Sequence, residues 1–590
     1  MASITPAENR AHESPIDIEK TPVHNVDNVN EVQYDEKFNE EDGSTHKQDG
    51  VKRVEAITSV WTKKTLVLMF ILLYIVSFVE LLMSSINSNL TAYVTSAFAS
   101  HGLLGATGIV ATIAGGVAAF TIAKIIDIWG RVEGFLLMLF IVSLGLIMKA
   151  VCKNVTTYAA AHTFYWVGHL GLLYVVNVML ADMTTLKNRM LAFSINGTPT
   201  IATTFAGPAI AELFYEESTW RWAFGAFCII LIGVSLPAAA VMLAQQRKAG
   251  RMGALPERVR KGNSWESFKF YVVEFDVLGL LLCTAAFSLI LLPFSLANGQ
   301  SKGWASGTII SMLVIGTVSM IAFVLWERFF APVQFFPFKY LMNRTIIGSS
   351  LLYGFMFASI FCWDTYYYSY LQVVHDQKIR DSGYILNAFS LTSSFISPFI
   401  GFLISRTGDY KYTSYGGIPF VVLGTVLLIY LRTPSTHVGL LVMCQVFNGI
   451  GTGIWATCAQ LAVMASVSHQ EVAVAIALWG MFGSIGSAIG QAIAGALWTN
   501  ILPGELYKAL PEESKNLTAT IYSSFVIQQD YPMGTEIRGA IVEAYAIVQR
   551  KMVVAGSAFM PVCVLAIVLW KRLDVRKMEE RRTQSKGTIW

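Results

Sequence analysis

An all-α polytopic membrane protein with 14 transmembrane helices is the fold class this sequence predicts, and three observations predict it. Of 590 residues, 54% are hydrophobic and only 14% charged, which sets aside the soluble multi-domain reading that length alone suggests. Apolar runs of about twenty residues, the length a helix needs to cross the hydrocarbon core, recur along nearly the whole chain. Lysine and arginine gather in short segments between and after those runs, as loops on the cytoplasmic side require.

The approximate spans are 64-86, 104-126, 134-152, 157-181, 190-213, 222-244, 273-296, 305-326, 345-369, 382-405, 413-431, 438-465, 472-498 and 551-571. Pro293 interrupts the seventh, and an even count puts both termini on one side. Arg247, Lys248, Arg251, Arg258, Arg260 and Lys261 follow span six, and Lys571, Arg572, Arg576, Lys577, Arg581 and Arg582 follow span fourteen. Both segments should therefore be cytoplasmic. The sequons at Asn89, Asn154 and Asn516 then fall outside, where a glycan acceptor has to be. Asn196 lies within a span and Asn343 inside, so neither should be used.

Residues 1-60 hold thirteen acidic against six basic residues and lack an apolar signal-peptide core. They read as a disordered acidic cytoplasmic tail. The seven cysteines lie in or beside apolar spans without paired spacing, so neither a disulfide framework nor a cysteine metal site is expected. No Walker A sequence occurs, which argues against ATP-driven transport. The basic residues follow the topology rule instead of forming one patch, so no nucleic acid partner is expected.

The turn after span two reads "AKIIDIWGRVEGF". Gly130 permits a tight turn, while Asp127 and Arg131 can pair across neighbouring helix ends. These residues resemble the D-x-x-G-R core of the major facilitator superfamily signature, with Ala123 where that family has glycine. The resemblance implies a charged cytoplasmic gate formed by Asp127, Gly130 and Arg131, and Asp182 and Arg189 of "ADMTTLKNR" are placed with it. Gly207 and Pro208 of "GPAIAE", and "TWRWAF" at 219-224, resemble the fourteen-helix proton-linked branch.

"YVTSAFASHGLL" (93-104), "ADMTTLKNR" (181-189), "WDTYYYSYLQVV" (363-374) and "ALWTNILPGELYKALP" (496-511) are similar to the fungal siderophore-iron transporter family, nearest to importers of triacetylfusarinine C. That resemblance implies the major facilitator fold, with two six-helix bundles plus two extra helices. It places the bundles at 61-244 and 344-571, a basic cytoplasmic loop at 245-272, the extra helices at 273-343 and a basic tail at 572-590. It also implies a proton-coupled symporter and no enzyme, resident in the plasma membrane and in endosomal vesicles. Its partners would be a ferric siderophore, protons and the lipid bilayer. No cofactor is expected, because iron enters as the chelate.

Charges inside a membrane are costly, so each is a candidate for function. Glu80 and Asp364 could each bind a proton outside and release it inside. Helical spacing puts Phe361, Tyr367 and Tyr368 on the face of Asp364. Span four adds a stripe of His162, Tyr165, Trp166 and His169. A bulky chelate needs a roomy pocket with aromatic walls and hydrogen-bond donors. Trp363, Asp364, Tyr367, Tyr368, Tyr370, Tyr165, Trp166 and His169 are the expected substrate contacts. An interfacial aromatic belt around Asp364 and a structural role for His169 are the competing readings.

The segment 499-550 is too long for an ordinary connector. The stripe Ile537, Ile541, Tyr545 and Val548 predicts an amphipathic helix there, read as a lid over the external mouth, with a helix packed passively on the bundle as the alternative. A proton-coupled drug or toxin exporter and a siderophore-sensing receptor are the alternatives to import.

Overall fold

The computed structural model describes residues 61–184, 192–193, 195–253, 264–333, 336, 338–467 and 471–574. Among these, thirteen helices are long and apolar enough to cross a membrane, and no strand is formed. They are α1 (Lys63–Ala97), α2 (Leu104–Ile128), α3 (Arg131–Val151), α4 (Val155–Met183), α6 (Trp220–Arg251), α7 (Val277–Leu291), α8 (Gly307–Leu325), α9 (Arg344–Asp364), α10 (Ile379–Thr407), α11 (Ile418–Leu431), α12 (Val438–Ala465), α13 (Val472–Ala509) and α14 (Glu536–Ser557). Between α4 and α6 lies α5 (Pro199–Glu217), at the place of the fifth expected span. Short helices extend α7 (Pro293–Leu296), α9 (Tyr367–His375), α11 (Tyr410–Tyr415, ahead of it) and α14 (Met560–Val568), and the lengths of those spans include them.

Polar residues fix where several helices begin. The side chains of Thr62, Asn154, Thr219, Asp276 and Thr535 each accept a hydrogen bond from a first-turn backbone N–H of α1, α4, α6, α7 and α14, satisfying donors that a helix end leaves open.

Helices α1 to α6 pack among themselves, as do α9 to α14. Within a half the helices meet backbone to backbone. Gly145 of α3 lies against the backbone of Tyr165 in α4, and Gly168 of α4 against that of Val142 in α3. Gly486 of α13 meets the carbonyl of Gly354 in α9 in the same way. Small residues that let backbones touch are how helices associate where lipid removes the hydrophobic drive.

The halves meet along two seams, α2 with α13 and α5 with α10. At Gly383 of α10 an added Cβ would stand 2.6 Å from the Pro208 ring of α5 and would overlap the Asn89 carboxamide of α1. The Asn387 amide donates to the Thr204 carbonyl at 2.9 Å. Helices α7 and α8 pack on each other outside the α2–α13 seam. Helix α7 also packs on α2 of the first half, and the segment leading into it accepts a hydrogen bond from Lys124 Nζ at the Glu274 carbonyl, 3.1 Å. Toward the second half, Asn298 donates to the Thr499 carbonyl.

The structure revises two expectations. The last membrane helix starts at Glu536, so Ile541, Tyr545 and Val548 belong to α14 and are buried in the bundle. The connector shrinks to 510–535, because a helix apolar on one face and polar on the other extends the last span by several turns. Asn89 is 4% exposed inside α1, with its Nδ2 donating to the Ser85 carbonyl at 2.7 Å, so no glycan can reach it in this fold. Asn154 and Asn516 are exposed.

Replacing Gly383 by leucine should force α5 and α10 apart at a cost of about 1–3 kcal/mol, the range for overpacking. The expected result is faster labelling of a Ser96→Cys probe by a membrane-impermeant maleimide, read against a parent whose seven native cysteines are buried. Unchanged labelling would show that this contact does not hold the seam.

Candidate functional site

Helix α9 breaks after Asp364, where Tyr366 takes φ −108 and ψ 11 before the chain resumes as Tyr367–His375. The break divides the aromatic run into two sets. Before it, Tyr353, Phe357, Phe361 and Asp364 recur at four-, four- and three-residue steps and stay part-exposed. Their neighbours Leu352, Met356, Ile360 and Trp363 are buried. The rings follow one another at 4.7 Å and 6.1 Å, and Tyr353 stacks on Trp479 of α13 at 3.7 Å. This part-exposed aromatic face ends in a carboxylate.

After the break the tyrosines are buried and face closed contacts. Tyr366 stacks on Trp498 at 4.1 Å and its hydroxyl donates to the Gly102 carbonyl at 2.8 Å. Tyr368 meets Tyr93 across the junction of the halves at 6.4 Å. Tyr367 carries the Arg432 guanidinium 3.9 Å from its ring centre, with Tyr370 6.0 Å away. Arg432 is itself buried and donates to the Trp363 carbonyl at 2.7 Å and to Gln549 at 3.0 Å. Trp363, Tyr367, Tyr368 and Tyr370, expected on a pocket wall, are packed at a sealed end in this conformation. Only Asp364 of that set remains part-exposed, in the field of Arg432.

The connector at 510–535 covers the same end. The Phe525 ring lies 4.8 Å from Tyr93 and 5.0 Å from His101, and its backbone N–H donates to Ser96 Oγ at 3.3 Å. Gln529 reaches Gln372 of the second half at 3.4 Å, and Tyr93 donates to the same Gln372 oxygen. One segment thus touches both halves.

In the first half, Glu80 of α1 and His169 of α4 form a buried pair, Oε2 to Nδ1 2.6 Å. Tyr165 stacks on His169 at 5.7 Å and Trp166 lies 5.6 Å from it. Tyr165 is fully buried and Trp166 is part-exposed. These three join Glu80 in the interior of one half and not Asp364 in the other.

At the opposite end Gly130 sits at φ +118, a backbone region that favours glycine. The turn brings Arg131 to Asp127 at 2.8 Å and to Asp182 at 2.9 Å. Its guanidinium also donates to the Ile126 carbonyl at 2.9 Å. A forked guanidinium suits two carboxylates at once, and it ties α2, α3 and α4 together. Arg189 lies outside the described residues.

Sequence reasoning missed Tyr353, Phe357 and Arg432. The two aromatics were legible as a continuation of the Asp364 spacing toward the start of α9. Arg432 carried no such signal, since a basic residue just past a span reads as a loop charge.

Glu80→Ala should lower the unfolding free energy in detergent by about 1–3 kcal/mol, because it strands the His169 ring without its partner. Glu80→Gln, which keeps an acceptor, should lose less. Equal losses in calorimetry would show that the pair is held by packing alone.

The Major Facilitator Superfamily model matches residues 72–374 and 352–502. The MFS siderochrome iron transporter 1 of Ajellomyces capsulatus is 52% identical over 575 residues, 97% of this chain and 98% of that protein. The MFS siderochrome iron transporter D of Aspergillus fumigatus is 40% identical, over 92% of this chain and 90% of that protein. The siderophore iron transporter mirB of Emericella nidulans is 38% identical, over 93% and 90%. Among solved structures, a bacterial homolog of the human lysosomal transporter Spinster, inward-facing and occupied, aligns with TM-score 0.54 at 16% identity, covering 86% of this chain and 97% of that one. An auto-inhibited POT family peptide transporter aligns with TM-score 0.54 at 11% identity, covering 86% and 98%. The likeness to these solved structures is one of fold. With a family model over most of its length and full-length relatives above 30% identity, the chain belongs to the Major Facilitator Superfamily and, within it, to the fungal siderochrome iron transporters, a family of carriers and not of enzymes.

Proposed function

We propose that this protein imports a ferric siderophore of the hydroxamate type, triacetylfusarinine C among the candidates, by proton symport through alternating access. The observation that carries the proposal is the end-to-end likeness to a siderochrome iron transporter, 52% identical over 97% of the chain. The membrane is the plasma membrane, with endosomal vesicles as a second location, and both termini are cytoplasmic. In that orientation the end sealed by Tyr366, Tyr368, Trp498 and the 510–535 connector faces outside. The Asp127–Arg131–Asp182 cluster then lies at the cytoplasmic gate.

The chelate brings its own iron ligands, so the protein has to recognise a large, partly apolar surface. The stripe Tyr353, Phe357, Phe361 and Asp364 supplies aromatic faces, one phenol and one acceptor along a single helix face. Trp363, Tyr367, Tyr368 and Tyr370 act as the gate that closes behind or ahead of the cargo. Glu80 and His169 are the proton-handling pair. A proton gained by Glu80 removes its charge from the buried pair and changes how tightly α1 holds α4. If protonation favours the state that binds cargo, cargo binding must favour protonation by the same factor.

Uptake of radioiron bound to triacetylfusarinine C, in a strain without its own carriers, should depend on the proton gradient. Chelate that is ignored while hydrophobic cations leave the cell would sink the import reading. Asp364→Asn should cut uptake by about tenfold or more at unchanged surface level; wild-type kinetics in that variant would remove Asp364 from the mechanism. For the orientation, Asn154→Gln and Asn516→Gln should each sharpen or speed the band on a gel, whereas Asn89→Gln should not. A glycan lost at Asn89 instead would contradict the placement of α1.

A further inference from the structure

A second buried cation lies in the first half, with no part in the transport scheme above. Lys149, in the last turn of α3, is fully buried. Its Nζ stands 2.9 Å from His162 Nδ1 and donates to the Asn87 carboxamide oxygen. The ammonium lies 4.2 Å from the ring centre of Tyr165, 5.1 Å from Phe224 and 5.3 Å from Tyr158. Three aromatic faces, an amide and an imidazole share its charge. The imidazole is also a place for its proton to go.

His162 belongs to a column. Tyr158, His162, Tyr165 and His169 occupy one face of α4 at four-, three- and four-residue steps, with successive rings inclined by only 6°, 20° and 16°. From His162 to His169 the helix rises about 10 Å, at about 1.5 Å per residue. At the lower end of the column stands the Glu80–His169 pair, and at the upper end the Lys149–His162 pair.

The second half repeats part of the construction. Arg432 closes α11, the third helix of its half, as Lys149 closes α3. Each cation is buried and bonded to the first helix of its own half, Asn87 in α1 or Trp363 in α9. Each lies against a tyrosine ring. Arginine does not release its proton in a protein, whereas lysine does so readily. The partners differ in the same sense: Arg432 bonds a carbonyl and an amide, Lys149 a titratable ring.

We propose that Lys149 and His162 form a second proton-exchange couple on the same face of α4 as the Glu80–His169 pair, so that the first half carries the coupling proton while Arg432 holds a fixed charge in the second. In the exchange the Lys149 Nζ–H bond breaks and a His162 Nδ1–H bond forms, leaving an amine and an imidazolium with the total charge unchanged. The groups facing Lys149 are Asn87 from α1, Tyr158 and Tyr165 from α4, and Phe224 from α6. Nearby, Arg221 of α6 donates to the Ala150 carbonyl at 3.2 Å and to that of Cys152. The Cys152 thiol donates to the Lys149 carbonyl at 3.1 Å.

This inference rests on the symport reading, and the test separates the two. Radioiron-loaded triacetylfusarinine C and, in parallel, ferric desferrioxamine B are offered to cells expressing the wild type, Lys149→Arg or His162→Gln. Gradient-driven accumulation and gradient-free counterflow are both measured. A wild type that accumulates chelate without regard to the gradient refutes symport itself. With symport intact, both variants should keep counterflow within about twofold and lose accumulation by about tenfold, a typical coupling factor. The pH dependence of their uptake should flatten. Either variant accumulating chelate as the wild type does, with the same pH profile, overturns the proposal. So does loss of counterflow in both at normal surface level, which would make the couple structural.

Discussion

Contact between helix backbones is the constraint on which the rest of this structure depends. In lipid there is no hydrophobic gain from pressing one apolar helix on another, so cohesion has to come from close fit. Gly145 and Gly168 provide that fit reciprocally between α3 and α4, and Gly486 provides it between α13 and α9. Helices that touch at the backbone cannot slide without overlap, which makes each half a stiff unit. The polar groups inside a half can then keep fixed partners, as Glu80 and His169 or Arg432 and Gln549 do.

Motion is left to the surfaces between the halves. These are bound by ring edges, single hydrogen bonds and close approaches at Gly383, at Gly105 beside the Gln491 carbonyl and at Gly116 beside Ser484. The ring contacts among them gather at the end where Tyr93, Tyr366, Trp498 and Phe525 lie. Rocking of two rigid bodies about a central site is the motion that the proposed alternating access would ask of these surfaces.

Much of the fold was legible because membrane burial leaves a long apolar signal, and each span is read almost independently of the others. The turn at Gly130 was legible too, since an acid, a glycine and an arginine at that spacing point to a charged hinge whatever surrounds it. The site was less so. Spacing along α9 puts Asp364 and the tyrosines on one face, but the break after Asp364 turns the following rings into a separate seal. No local feature announces that break, because Thr365 and Tyr366 are ordinary helix residues and tertiary packing on Trp498 overrides them. Lys149 went unremarked for a related reason. A lysine near the end of a span reads as a side chain reaching for water, and only the assembled half shows it turned inward onto His162. Asn89 misled in the opposite direction, its sequon being real but buried by the turns that lengthen α1.

The added pair α7–α8 is attached unevenly. Its polar tie to the first half, Lys124 to Glu274, is at the end of α2 that carries Asp127; its tie to the second half, Asn298 to Thr499, is at the far end of α13. Two anchors at opposite heights on opposite bodies make a diagonal brace. A brace of that kind opposes sliding of α2 along α13 but offers much less resistance when the two bodies tilt. The insertion therefore does more than widen the bundle: it links the two bodies corner to corner.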